Sequence, residues 1–148
     1  MTYNASGAGS ETRRVFYPAT SLSPEGETAS EGTAFNHLTM SNTGSFRLNF
    51  FIPPEAASAI KVFVMIVPDT TETVQYDVVG DHAALGQLIT QGSDTITDGT
   101  LAVTDNTLAE LDVSDAFTGV AGGDYCGIEF QSDTTNIRCI GLCVEYSS

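Results

Sequence analysis

From residue 34 onward the apolar residues of this chain recur at alternate positions in short runs, each cut by proline, glycine or an Asx-rich turn. Phe46, Leu48, Phe50 and Ile52 form one such run, and Pro53-Pro54 stops it. Ile60, Val62, Val64 and Ile66 form the next, ended by Pro68, and Val74, Tyr76 and Val78 repeat the pattern. A period of two puts alternate side chains on opposite faces of a strand, and no stretch sustains the period of a long helix. Further strands are expected at 108–113, 124–131 and 137–146, with single helical turns around Ala83-Ala84-Leu85 and at Ser114 or Asp115, either of which would cap it. Residues 95–107 are rich in Thr, Asp and Gly and fit short strands or a long loop. About eight strands with turn chemistry between them predict an all-β fold, an antiparallel β-sandwich of jelly-roll type.

A length of 148 residues fits one domain with a sizeable core. Residues 1–33 read as an extended N-terminal arm and loop. The start is rich in Gly, Ser and Ala, Arg13 to Ala19 is a short extended segment, and Pro24 and Gly26 sit among glutamates. Residues 34–148 are then the sandwich. The first residues lack the basic start and apolar core of a signal peptide, so folding in a cytosol is expected. No apolar run approaches the roughly 20 residues of a membrane span.

Two strands carry apolar residues on both faces. In the last one, Ile140, Leu142, Val144 and Tyr146 share the expected core face, while Cys139, Gly141 and Cys143 lie opposite. Phe63, Met65 and Val67 likewise oppose Ile60 to Ile66, and Phe51 opposes the core face of its own strand. An antiparallel sandwich normally shows water one polar face. The cover for the second face is a neighbouring subunit, the arm's Val15, Phe16 and Tyr17 laid across it, or a bulge that flips every side chain downstream. A subunit cover makes Val15, Phe16, Tyr17, Phe51, Phe63, Met65, Cys139 and Cys143 an interface, with a homotrimer favoured.

The chain has 19 acidic and 5 basic residues, a net charge of -14, and Lys61 is its one lysine. That balance excludes ordinary electrostatic binding to nucleic acid or anionic membranes. Catalytic and metal chemistry is equally thin. His37 and His82 are isolated and read as loop residues, and three cysteines without a CxxC pair read as small buried hydrophobes. A Cys139–Cys143 disulfide would have to close about 13 Å along one extended strand. Asp69, Asp81, Asp94, Asp98, Asp105 and Asp133 read as turn formers. The loop from Asp94 to Asp105 has oxygen ligands for calcium but not the spacing of an EF-hand. No phosphate-binding glycine loop and no tryptophan platform for sugars is present. No enzyme, resident metal or cofactor is expected.

Leu108-Ala109-Glu110-Leu111-Asp112-Val113-Ser114, Gly123-Asp124-Tyr125-Cys126-Gly127-Ile128-Glu129-Phe130 and the closing Ile140 to Tyr146 resemble a pattern in jelly-roll proteins of tailed phages. Arg14 to Ala19 and Phe50-Phe51-Ile52-Pro53 are similar to their opening segments. The resemblance implies a virion structural protein made in the host cytoplasm, a head decoration or accessory capsid protein that self-associates and docks on the capsid shell protein. The alternative is a carbohydrate-binding β-sandwich on a receptor-binding appendage.

Overall fold

The computed structural model describes residues 11–19, 28–30, 37–40, 45–133 and 137–148. They form ten strands: β1 (Thr12–Pro18), β2 (Thr28–Ser30), β3 (His37–Met40), β4 (Ser45–Phe51), β5 (Ser58–Pro68), β6 (Glu72–Ala83), β7 (Gly92–Val103), β8 (Ala109–Asp112), β9 (Tyr125–Ser132) and β10 (Ile137–Ser147). One sheet runs β2-β3-β10-β5-β8, with β1 also on β10, and the other runs β4-β9-β6-β7. Every pairing is antiparallel. The all-β sandwich expected from the alternation is what the chain adopts.

The alternating residues meet between the sheets as read. Phe46, Leu48, Phe50 and Ile52 from one sheet pack against Val62, Val64 and Ile66 from the other. Residues 84–91, where a helical turn was expected, form a loop whose first turn is closed by Gln87 N–H donating to Ala84 O at 3.1 Å. A 3₁₀ turn does form at Ser114–Phe117, but neither Ser114 nor Asp115 caps it; Asp112 Oδ1 accepts from Ser114 N–H at 2.9 Å. The Ser114 hydroxyl instead accepts from Val62 N–H at 3.0 Å. Residues 95–107 belong mostly to β7, a continuous edge strand of 12 residues.

The doubly apolar strands have two explanations at once. A register shift between Cys139 and Gly141 marks a bulge in β10, so Cys139 sits in the core and Ile140 turns outward. The expected core place of Ile140, and the interface place of Cys139, are therefore corrected: Ile137 and Cys139 precede Leu142, Val144 and Tyr146 on the core side. The arm supplies the second explanation. Residues 12–18 pair along β10 rather than crossing its face, with Val15 and Tyr17 packed toward the core and Phe16 outward. Arg14 reaches over the outer face, 5.3 Å above the Phe63 ring, and its Nε donates to Glu145 at 2.7 Å while the rest of the guanidinium binds Glu110. Phe63 and Met65 are half-buried beneath this edge, and Cys143, paired with Phe16, is buried.

Gly141 lets β1 come this close. A Cβ there would lie 2.3 Å from Tyr17 O and 2.7 Å from the Phe16 ring. Gly141→Ala should cost about 1–3 kcal/mol by overpacking and should loosen β1 first. Faster amide exchange at residues 12–18 than elsewhere in the variant is the expected observation. Uniform exchange would show that β1 is not held at this point.

Candidate functional site

The outer face of the four-stranded sheet collects residues that the core does not use. Pairing register lays them out in rows: Phe51 beside Tyr125 and Ala83; Asn49 beside Gly127, Asp81 and Ser93; Arg47 beside Glu129, Val79 and Thr95; Ser45 beside Gln131 and Asp77. At one end Asn49, Asp81, Ala83, Ile89, Tyr125 and Gly127 line an open cleft of about 410 Å³. Tyr125 is 53% exposed and its ring lies 4.9 Å from that of Phe51, which holds it beside the cleft. Gly127 forms the floor; its Cα side is open except for Asn49 Oδ1 at 3.6 Å from where a Cβ would stand. Above them the loop after β6 carries Leu85, Leu88 and Ile89, all more than three-quarters exposed. A second groove of about 270 Å³ continues along the same face between Asp77, Val79, Thr95, Thr97, Glu129 and Gln131.

Three carboxylates gather at the far end. The extra residue of a bulge in β7, opposite Asp77, puts Asp98 at φ +54°, and its N–H donates to Asp77 Oδ1 at 2.8 Å. Gln75 Nε2 donates to Asp98 Oδ1 at 2.8 Å, and Asp133 N–H donates to Gln75 O at 2.8 Å, which docks the residue after β9 beside them. Candidate ligand oxygens of Asp77, Asp98 and Asp133 all lie within 4.8 Å of one another. Burial, and then the neighbouring Asp77 and Asp98 charges, push the Asp133 carboxyl above its ordinary value. Hard oxygen donors on three separate segments fit calcium or magnesium better than zinc, and a cation there would relieve that repulsion.

His82 belongs to the scaffold, not to the cleft. It is buried on β6, on the core-facing side. Its Nδ1 lies 3.0 Å from Asp124 Oδ2, and its Nε2 donates to Thr118 O at 3.1 Å. The sequence suggests a hydrogen-bonded loop histidine; the hydrogen bonds are there, but the residue lies within a strand rather than a loop. The side chain of His37 lies outside the described residues.

The predicted interface residues scatter. Phe63, Met65, Phe16 and Cys143 share the outer side of the six-stranded sheet, Phe51 is on the opposite side of the molecule, and Val15, Tyr17 and Cys139 face inward. All three cysteines are free and buried, and burial followed by the Asp124 charge pushes the Cys126 thiol up to about 12. Thiol reagents should therefore modify none of them in the native protein and all three in denaturant, counted by mass spectrometry.

The acidic cluster was only half visible in the sequence. Asp98 lies in the 94–105 stretch that the sequence offers to calcium, whereas Asp133 reads only as a turn former and Asp77 carries no expected role. Asp81, Asp94 and Asp98 in fact lie within strands. An Asp-Gly pair in mid-strand, the signature of a bulge, was the available signal.

The sequence matches no protein-family model and no curated protein. Solved structures do resemble the chain. A carbohydrate-binding module, CBM36, in complex with calcium and xylotriose superposes with a TM-score of 0.51 at 15% identity, over 90% of this chain and 98% of that one. The CBM36-1 domain of a multidomain xylanase from the hindgut metagenome of Trinervitermes trinervoides gives 0.52 at 10% identity, over 93% and 98%. The chain shares the CBM36 jelly-roll fold. Both of these proteins are described as binding modules, and neither as a virion protein.

Proposed function

We propose that this chain is a carbohydrate-binding module that holds a saccharide on the outer face of its four-stranded sheet. The observation that carries the reading is the Tyr125 cleft. An exposed ring offers an apolar platform for the C–H face of a pyranose, Gly127 leaves room beneath it, and Asn49 and Asp81 are placed to bond hydroxyls. The shared fold supports the same reading, since both solved relatives in shape are carbohydrate-binding modules. The three-aspartate cluster is the cation pocket of this reading.

A glycan array run with calcium and with chelator is the direct test. Hits are expected, stronger with calcium, and an array without hits under either condition rejects the proposal. Tyr125→Ala should weaken binding to any hit at least about tenfold, roughly 1.4 kcal/mol. Its Tm should stay close to that of the parent, because the ring is exposed.

Calcium should also raise the Tm, and Asp98→Asn should abolish the rise. The sign of the pH effect without metal follows from the raised Asp133 carboxyl. This group favours the fold below the ordinary carboxylate range, and that contribution is lost as pH rises through its raised value. In chelator, Asp133→Asn should therefore be at least as stable as the parent at neutral pH. A clear destabilisation there would show that the cluster is held by something other than repelling charges.

A further inference from the structure

The charges around the cleft narrow the ligand further, on the basis of the carbohydrate-binding reading. Asp81 lines the cleft with its carboxylate only half-buried, and among the described residues it has no hydrogen-bond or ion-pair partner. Tyr125 lines the same cleft with an exposed ring. An unpaired carboxylate beside an aromatic face suits an ammonium group, which gains charge attraction from one and cation–π attraction from the other.

The rest of the face agrees. Arg47 is its one cation among the described residues, and Arg47 Nε already donates to Glu129 at 2.6 Å. Among the described residues no other cationic side chain on the face is placed to neutralise a uronate or a sulfate, whereas the carboxylates of Asp81 and Glu129 line the cleft and the groove that continues it. From Tyr125 to Ser132 the track follows the eight residues of β9, about 24 Å from first to last in an extended strand, which suits a linear chain. We infer that the face selects a linear glycan bearing free amino groups, with an ammonium seated between Asp81 and Tyr125.

Two nearly isosteric probes test this: a β-1,4-linked glucosamine oligomer and the cello-oligosaccharide of equal length, which replaces each ammonium by a hydroxyl. Calorimetry would use the full chain in mildly acidic buffer with calcium chloride, where the sugar amines are charged. The glucosamine oligomer should bind about tenfold more tightly at low salt, and the ratio should shrink to about twofold near 1 M salt, where the screening length is only about 3 Å. Asp81→Asn should collapse the ratio at low salt.

Equal binding of the two probes, or a preference that survives Asp81→Asn, overturns the inference and leaves the carbohydrate reading standing. Binding of neither probe by a chain that scores elsewhere on the glycan array overturns the inference alone. An array without any hit removes both.

Discussion

Asp124→Ala is expected to cost about 3–5 kcal/mol, the scale of breaking a buried, hydrogen-bonded pair by removing one partner. Asp124 Oδ2 lies 3.0 Å from His82 Nδ1 and also accepts from Ala121 N–H at 3.0 Å. Both side chains are about nine-tenths buried. The other ring nitrogen faces Thr118 O, a pure acceptor, so it must carry a proton, and the ring is held from both sides. Truncation strips the buried His82 ring of one of its two partners and leaves the more exposed Ala121 N–H without Asp124. It also unties the end of β6 from the turn that leads into β9. Guanidinium unfolding would measure the loss. Asp124→Asn, which keeps an acceptor oxygen, should lose less than the alanine variant. Equal losses would mean that shape rather than hydrogen bonding sets the site.

Gly80→Ala should be nearly as damaging, at about 3 kcal/mol, although it adds only a methyl group. A Cβ at Gly80 would stand 2.2 Å from Ala116 O and 2.9 Å from the Phe117 ring. The oxygen is backbone, so relief requires the 3₁₀ turn to lift off β6. Phe117 would then lose its edge-on contact with Phe50, whose ring centroid is 5.2 Å away. Gly127→Ala is the matched control, because the nearest atom to its Cβ is 3.6 Å away. That variant should keep its Tm and bind saccharide less well, since the methyl group fills the cleft floor. If Gly80→Ala melts with the parent, the turn is looser than its packing implies.

These two positions also show how far the sequence could be read. The alternation at Phe46 to Ile52 and Ile60 to Ile66 named a face, and that face is the core, because a period of two leaves no freedom once one side is buried. β7 was ambiguous for the converse reason. It is an edge strand with mostly exposed side chains, so burial never imposed a pattern on its Thr, Asp and Gly residues. A bulge is one of the readings the doubly apolar strands allow, but its place at Ile140 is not legible because Cys139 and Ile140 are both apolar and either can fill the core position. The candidate site was the least legible part. Asp77, Asp98 and Asp133 are 21 and 35 residues apart along the chain, and they meet only because β6 pairs with both β7 and β9. His82 escaped for a local reason: its ring occupies the space left by Gly92, where a Cβ would lie 2.1 Å from Nε2.

The position of β10 governs when the protein can fold during its synthesis. β10 is the partner of β1, β3 and β5 alike, and the Arg14–Glu145 bond closes over 131 residues. Until residues 137–147 leave the ribosome, β1 has no strand to join, and β5 has only the four residues of β8 beside it. The long edge of β5 that β10 will occupy therefore stays unpaired until β10 is made, although the residues that pack on its apolar side precede it. Such long-range pairing folds in milliseconds to seconds rather than microseconds. A nascent chain halted before residue 137 would present the unpaired backbone edge of β5 to chaperones and to other nascent chains, and the emergence of β10 would be the event that closes that sheet.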